Sequence, residues 1–269
     1  MKKFFAVAAL TALIPVSALA QAAGQQKNDA TSWTGFYAGL NTGGTFGSSN
    51  AQTGTTGGDY FQPASATQIN YAGNQNLTPK GYAGGLQFGY NRQVAKFVLG
   101  VEADFSVLAA SKTVTGVADY SCAGCSPYGF LITQKVSTDG MGTARARVGH
   151  TYGKRGLFYA SGGVAETQIH YSSLFMDNYT DVIGYYPYLV SESASASVLK
   201  TGWIVGGGTE YALNKRWSAR AEYLFADFGT VSNAGNALTD VFGNPYTDPF
   251  THTATLTSSV VRVAVNYKF

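Results

Sequence analysis

The sequence predicts an all-β protein, an eight-stranded antiparallel up-and-down β-barrel that crosses a membrane and carries four long extracellular loops. Three observations support this fold class. Only 12% of the residues are charged, whereas 14% are aromatic and 33 of 269 are glycine; soluble domains carry about 25% charged residues. Apolar and polar residues alternate with a period of two over eight segments, several of them longer than ten residues. Short and long connections alternate along the chain, as in outer-membrane barrels.

The N-terminal residues predict export. Two lysines precede an apolar stretch of signal-peptide length, and Ala18-Leu19-Ala20 forms a small-residue cleavage site. We therefore expect a cleaved secretory signal at 1–20, a polar segment at 21–32 and the barrel domain at 33–269. A membrane anchor is the alternative interpretation, but the apolar stretch is short for a spanning helix.

The alternating segments predict the strands of the barrel wall, at about 33–47, 81–92, 96–108, 138–151, 156–170, 197–213, 216–228 and 255–269. Three short, basic connections are expected at 91–96, 152–156 and 213–216. The four long connections, near 48–80, 109–137, 171–196 and 229–254, are rich in Gly, Ser, Thr, Asn and Tyr. Short turns at one end of a barrel and long loops at the other place the loops outside the cell.

The two faces of most segments differ in polarity. In the third segment Leu99, Val101 and Phe105 share one face, and Glu102 and Asp104 share the other. A charge on the lipid face costs about 2–4 kcal/mol at the bilayer midplane, so the uncharged faces predict lipid contact. The fifth segment fits less cleanly, and its faces stay unassigned. A soluble β-sandwich alternates in the same way, but the signal, the strand lengths and the loop asymmetry favour the barrel.

Charged residues on the opposite faces predict an ion-pair network in the lumen. An eight-stranded barrel is just wide enough to be filled by side chains, and buried charges must be paired. The expected members are Glu102, Asp104, Arg145, Arg147, Glu210, Arg220, Glu222 and Arg262. A structural plug is one interpretation of this network, and a gated pathway for ions or small solutes is the other.

Several motifs resemble one bacterial family. The opening Trp33-Thr34-Gly35-Phe36-Tyr37-Ala38-Gly39 resembles the first strand of the small outer-membrane β-barrels of alphaproteobacteria, surface antigens often called outer membrane immunogenic proteins. Similar matches come from 142–149, Thr201-Gly202-Trp203, 220–224 and the terminal Tyr267-Lys268-Phe269. The resemblance implies a barrel like the OmpA transmembrane domain and specifies little biochemical activity.

The last strand carries a further signal. Val263, Val265 and Tyr267 share a face with the terminal Phe269. This pattern looks like the C-terminal signature that the barrel-assembly machinery reads, and an apolar final strand would give the same pattern.

Two other motifs carry weaker chemical hypotheses. Cys122 and Cys125 form a CxxC in the second long loop, and export favours a local disulfide over a redox or zinc site. His170 and Ser172 lie near the outer membrane surface, as in lipid-modifying barrel enzymes, with Glu166 as a candidate acid; no triad is visible in the sequence. We therefore expect no enzyme activity, no cofactor and no metal.

The sequence as a whole predicts a cell outer-membrane surface protein. Its expected role is to support envelope integrity and to present loops for binding or adhesion, since loops on a rigid scaffold often bind ligands. The alternatives are a porin-like pore for small solutes, and haem or host-ligand binding through His170, His252 and loop tyrosines. The expected partners are the outer-membrane bilayer, the assembly machinery and an extracellular ligand of unknown identity. A net charge of +3 gives no support to a nucleic-acid partner.

Overall fold

The computed structural model describes residues 31–120, 129–177 and 190–269. Eight long strands form the wall of a barrel: β1 (Gly35–Thr55), β3 (Lys80–Val94), β4 (Phe97–Asp119), β5 (Gly129–Tyr152), β6 (Gly156–Asp177), β7 (Val190–Ala212), β8 (Trp217–Ala234) and β11 (Phe250–Lys268). Four short elements lie at the loop end: α1 (Pro63–Ala72), β2 (Asn74–Leu77), β9 (Leu238–Thr239) and β10 (Pro245–Tyr246).

The wall is a closed antiparallel ring. Each long strand pairs with its neighbour in the chain, and β1 pairs with β11 to close the ring, with Tyr37 opposite Lys268 and Thr55 opposite Phe250. Closure removes the unpaired sheet edges that would otherwise expose backbone N–H and C=O groups. The predicted eight-stranded up-and-down barrel is confirmed.

The strands extend further toward the loop end than the sequence predicts. β4 was expected to end near 108 but continues to Asp119, and β7 begins at Val190 rather than near 197. The predicted boundaries were wrong because they relied on contrast between an apolar and a polar face. Beyond the membrane the outward face meets water, so its residues become small and polar and the contrast reverses.

The polarity of the wall inverts along its height. In the turn-end half, apolar side chains such as Leu40, Phe105 and Val263 point outward and remain exposed to the surroundings of the protein. In the loop-end half, apolar side chains such as Leu108 and Ile132 point inward and are fully buried. We call the outward apolar side chains of the turn-end half the apolar belt. An apolar outer surface around a polar interior is the arrangement of a barrel in lipid and the opposite of a soluble sandwich.

The fifth predicted segment can now be assigned. Leu157, Tyr159, Ala165 and Ile169 of β6 are buried inside the barrel, whereas Phe158 and Val164 on the same strand are exposed outward. The glycines between them, at 162 and 163, weaken the alternation and explain why sequence could not separate the two faces.

Short elements cover the loop end. Helix α1 begins at Pro63, where the missing N–H of proline costs nothing, and it ends at Ala72, with Gly73 as its C-cap. Its Ile69 is fully buried. Strand β2 then pairs with the upper part of β1. No helix in the described part of the chain is long and apolar enough to cross a membrane.

Candidate functional site

The lumen of the turn-end half holds a cluster of buried charges. All eight charged residues expected in the lumen lie there, and every side chain is almost completely shielded from solvent. Four are arginines and four are carboxylates, so the cluster is electrically neutral. Their strands place them there because each occupies an inward position of the period-two alternation.

Arg145 lies at the centre of one half of this cluster. Its Nη2 donates to Glu102 Oε1 at 2.6 Å and to Asp104 Oδ2 at 2.7 Å, and its Nη1 donates to Glu222 Oε1 at 3.1 Å. Arg262 completes this half through Nη2 to Asp104 Oδ2 at 3.1 Å and Nε to Glu222 Oε2 at 2.7 Å. Each carboxylate therefore receives more than one charge-assisted hydrogen bond, which are the stronger kind in proteins.

Glu210 and Arg220 organise the other half. Arg220 donates to Glu102 Oε2 at 2.5 Å and to Glu210 Oε2 at 3.2 Å, and Arg147 donates to Glu210 Oε2 at 3.0 Å. Glu210 Oε1 accepts from the Ser218 hydroxyl at 2.5 Å. Because Glu102 contacts arginines of both halves, the eight residues form one connected network across strands β4, β5, β7, β8 and β11.

Two tyrosines belong to this network and were missed by the sequence reasoning. Tyr37 donates to Glu102 Oε2 at 2.5 Å, and Tyr159 donates to Glu222 Oε1 at 2.9 Å. The Arg147 guanidinium lies 4.0 Å from the centroid of the Tyr159 ring, within cation–π distance. A usable signal was present for Tyr37, which shares the inward alternation of β1 with Asn41 and Thr45.

Each of these tyrosines lies over a glycine of the neighbouring strand. Tyr37 pairs with Gly89, and Tyr159 pairs with Gly208. A Cβ atom added to Gly89 would lie 2.5 Å from the Tyr37 hydroxyl oxygen, and one added to Gly208 would lie 2.7 Å from that of Tyr159. The glycines therefore provide the space in which the rings reach the charge cluster.

Little room remains around the cluster. At the turn end, below the charges, a cavity lined by Trp33, Tyr37, Glu210 and their neighbours has a volume of about 30 Å³, enough for about two water molecules. Trp33 is buried against Val98 and Leu157 at the same end. The charge cluster and these side chains together fill the lower lumen.

A second barrier lies at the loop end. Phe61, Ile69, Phe130, Phe175 and Phe250 form the centre of a buried apolar cluster, which we call the loop-end cap. The Phe61 ring packs edge-on against Phe175 at 5.5 Å between centroids. The sequence did not predict this cap, because its members are distant in the chain and come together only through the strand extensions and the folding of the first loop over the loop end.

Carboxylates attach the first loop to the cap. Asp248 Oδ2 and Oδ1 accept hydrogen bonds from the backbone N–H groups of Tyr60 at 2.9 Å and Phe61 at 3.0 Å. Asp177 accepts from the Tyr120 hydroxyl at 2.7 Å. Burial, together with the neighbouring Asp177 carboxylate, raises the pKa of the Tyr120 phenol above its usual value, so Tyr120 stays a neutral donor.

The candidate haem contacts differ from the expectation. His252 is fully buried, and both ring nitrogens are engaged: Nδ1 lies 3.0 Å from Thr53 Oγ1 and Nε2 lies 3.2 Å from Glu192 Oε1. It therefore offers no free nitrogen to a ligand from outside. No group of three or more metal-binding side chains occurs within residues 31–120, 129–177 and 190–269.

The remaining predicted residues are those outside the described ranges, those of the C-terminal strand, and His170 with its suggested partners. Cys122, Cys125 and the third-loop tyrosines at 179, 185, 186 and 188 lie outside the described residues, as does the predicted signal. Val263, Val265 and Phe269 are exposed outward, and the Phe269 N–H donates to Phe36 O at 3.0 Å, which ties the C-terminus to β1. Recognition of this terminal pattern by the assembly machinery stays a prediction.

His170 does not pair with the residues suggested by the sequence. Glu166 accepts a long hydrogen bond of 3.4 Å from Thr201, and Ser172 lies opposite Ser195. The His170 ring contacts Asp139 and Ser197 instead, on the two neighbouring strands.

Comparison with known proteins gives consistent results. A family model described as an outer membrane protein beta-barrel domain matches residues 6–269. The 31 kDa outer-membrane immunogenic proteins of Brucella melitensis biotype 1 and Brucella suis biovar 1 are each 30% identical to this chain over 253 residues, covering 90% of it and 85% of the relative. The solved outer membrane protein OprG from Pseudomonas aeruginosa is 12% identical, with 89% of this chain and 98% of that chain covered and a TM-score of 0.44.

Proposed function

The chain belongs to the outer membrane protein β-barrel domain family, and from that premise we propose that it is a closed-lumen surface protein of the cell outer membrane. In this role it supports envelope integrity and presents its extracellular loops for binding or adhesion. The observation that carries the proposal is the neutral charge cluster across the lumen, in which every charged side chain has an ion-pair partner. A lumen filled by its own side chains leaves no passage for a solute.

The height of the barrel supports the surface role. Strand β4 contains 23 residues, whereas a tilted strand needs about 9–11 to cross the hydrocarbon. At about 3.3 Å per residue and a tilt near 40°, the other dozen residues raise the loop end on the order of 30 Å above the membrane. A rigid column of this height holds the loops near the outer edge of the envelope.

The pore and the haem hypotheses find less support. A solute would have to displace first the loop-end cap and then the ion pairs of Arg145, whose side chain is fully shielded from solvent. Breaking a buried ion pair by removing one partner costs about 3–5 kcal/mol, so a resting open state is disfavoured. For haem, the one histidine near the lumen axis at the loop end is His252, and its ring is already hydrogen-bonded on both sides.

Conductance measurement tests the proposal directly. We expect the purified, folded protein to give no steps in a planar lipid bilayer, with folding verified by a heat-dependent shift in gel mobility. A known open porin inserted by the same procedure is the positive control. Stable conductance steps that grow with salt concentration would contradict the closed lumen and favour the pore.

A variant with a disrupted charge cluster shows whether the absence of conductance in the wild type is due to that cluster. Replacing Arg145 and Glu102 together by Ala keeps the cluster neutral while removing two of its eight charged side chains. If this double variant folds and conducts whereas the wild type is silent, the charge cluster closes the lumen even with the loop-end cap in place; if both are silent, the loop-end cap alone is enough to keep the lumen closed. If the wild type also conducts, the proposal fails.

A further inference from the structure

Three polar side chains form a hydrogen-bonded chain on the outer surface of the wall. His170 Nε2 lies 2.8 Å from Asp139 Oδ2, and His170 Nδ1 lies 3.0 Å from Ser197 Oγ. The side chains of His170 and Asp139 are 37% and 75% exposed. A serine, a histidine and a carboxylate in this order provide a nucleophile, its general base and the group that orients the base.

The backbone sets this arrangement in two ways. His170 and Ser197 are direct partners across β6 and β7, both on outward positions. On the other side, Asp139 and Gly140 form a β-bulge, in which two residues of β5 face the single residue Gln168 of β6. The Thr167 hydroxyl donates to Gly140 O at 2.7 Å and fixes the bulge. Bulges re-aim side chains and are enriched next to active sites.

A fourth residue supplies a hydrogen-bond donor beside the serine. The Gln168 side-chain Nε2 donates to Ser197 Oγ at 2.9 Å. When the serine attacks a carbonyl carbon, the oxyanion forms next to Oγ, so this amide would stabilise it by transferring its N–H hydrogen bond from Oγ to the new oxygen. The bulge therefore aims Asp139 at His170 while Gln168, opposite the bulge, points at Ser197.

The position of the four residues indicates the substrate. Leu199 lies opposite Gln168 and is 61% exposed; the next outward pair toward the turn end is the polar Glu166 and Thr201, and the apolar belt begins below them at Val164 and Trp203. Above the chain of hydrogen bonds the outward residues are serines, at 172 and 195. The site thus lies just above the apolar belt, on the part of the outer surface that faces the lipid headgroups.

We propose that Asp139, His170 and Ser197 form an outward-facing hydrolase site for the acyl esters of membrane lipids, with Gln168 as the oxyanion donor. This activity goes beyond the proposed surface role and does not depend on the closed lumen. The acyl chain of the substrate would lie along Leu199 and the belt below it, with its carbonyl carbon at Ser197.

The reaction balances with water as the only co-reactant. The Asp139 carboxylate accepts a hydrogen bond from Nε2–H and so holds His170 in the tautomer whose Nδ1 carries no proton; Nδ1 then takes the proton of Ser197 as Oγ bonds to the carbonyl carbon. Collapse of the oxyanion breaks the ester C–O bond, and His170 protonates the departing alcohol oxygen. Water then adds to the acyl-serine, with His170 as base, and the second collapse releases the fatty acid and returns the proton to Ser197.

Covalent labelling is the first test, because it needs no knowledge of the natural lipid. We expect a long-chain alkyl fluorophosphonate to modify Ser197 in the folded protein in detergent micelles, as located by peptide mass spectrometry. The S197A variant should lose the adduct, and H170A should react at least about 100-fold more slowly, since the base contributes about 10²–10⁴-fold. The matched controls are S195A and S172A, which remove outward serines that do not contact His170.

Release of fatty acid is the second test and identifies the lipid. The wild type is incubated with vesicles of glycerophospholipid and, separately, with lipopolysaccharide, and free fatty acid is measured against S197A and S195A. Release that needs Ser197 but not Ser195 supports the site, and the arm in which it occurs names the source of the ester. The absence of an adduct on Ser197, or an adduct formed equally fast in H170A, would overturn the proposal and leave a purely structural hydrogen-bond chain. The heat-dependent gel shift verifies that each variant is folded.

Discussion

At the scale of single residues, Arg145 is the most connected charge in the lumen. Its guanidinium contacts three carboxylates, those of Glu102, Asp104 and Glu222. The attraction within a buried cluster offsets the cost of removing the charges from water only while every member keeps its partners. The stability of the wall therefore depends on this side chain more than its single positive charge suggests.

Replacing Arg145 with Ala should lower the free energy of unfolding by about 3–5 kcal/mol, the usual cost of leaving a buried charge without its partner. The measurement is urea-induced unfolding in lipid vesicles, followed by tryptophan fluorescence. The control is Arg92→Ala, since Arg92 is exposed near the turn end of β3, and we expect that variant to unfold within about 0.5 kcal/mol of the wild type. Equal stability of the two variants would show that the cluster contributes nothing.

The eight charged members of the network follow from alternation, because a charge on a strand of a lipid-facing wall has only the lumen to occupy. The two tyrosines do not follow so directly. Tyrosine occurs both in barrel lumens and in the aromatic girdles at the membrane surface. The sequence alone is therefore compatible with either location for Tyr37 and Tyr159. Only the contacts with Glu102 and Glu222 assign them.

At the scale of elements, neighbouring strands are matched in side-chain size. Tyr159 of β6 fills the space above Gly208 of β7, and a Cβ atom at Gly208 would also lie 2.3 Å from Ala221 O. A large residue facing a glycine therefore lets the two strands keep their spacing while the ring turns toward the lumen. This pairing cannot be read from either strand alone, because it depends on register.

Gly208→Ala should destabilise the barrel by about 1–3 kcal/mol, the cost of forcing extra volume into a well-packed interior. The methyl group would displace the Tyr159 ring from the Arg147 guanidinium. The control is Gly162→Ala, because an added Cβ there meets its nearest neighbour at 3.6 Å, an ordinary contact distance. Unfolding midpoints in urea compare the two variants, and a larger loss for Gly162→Ala would refute the pairing.

The ends of the strands near the loops are the part of the fold that the sequence does not predict. Around 190–197 the sequence reads VSESASAS, with Ser at every second position. In the structure these serines face outward while Val190 and Ala194 are buried. The alternation is present, but apart from Val190 and Glu192 the residues on both faces are alanine or serine, so the two faces hardly differ in hydrophobicity. Hydrophobic contrast is strong only where the outward face meets lipid, so the sequence locates the membrane-spanning part of each strand and underestimates the rest.

At the scale of the whole molecule, the lumen is closed twice along its axis. The charge cluster fills the lumen in the turn-end half through ion pairs, and the loop-end cap closes the loop end through apolar contacts. The two barriers share no described ion pair, and they differ in the kind of interaction that holds them. Either one can therefore be loosened while the other stays intact.

Asp248→Ala tests this independence. The substitution removes the acceptor of the Tyr60 and Phe61 backbone N–H groups, and hydrogen bonds to a charged group contribute about 1.5–3 kcal/mol each. We expect the first loop to detach from the cap, so that external chymotrypsin cleaves after Tyr60 or Phe61 at least tenfold faster than in the wild type. The barrel should stay folded, since the wall strands and the charge cluster are unchanged.

The conductance of the same variant separates the two barriers. The charge cluster still closes the turn-end half of the lumen when the cap is loosened. Asp248→Ala should therefore give no conductance steps in a planar bilayer, even when its first loop is cleaved. The control is Asp240→Ala, which removes the acceptor of Phe242 and Asn244 within one turn of the same fourth loop and should leave the first loop resistant to protease. Conductance steps in Asp248→Ala would mean that the cap alone holds the lumen shut. In that case the charged lumen below it would be a gated passage, and the loops would control entry to it as well as contact with partners.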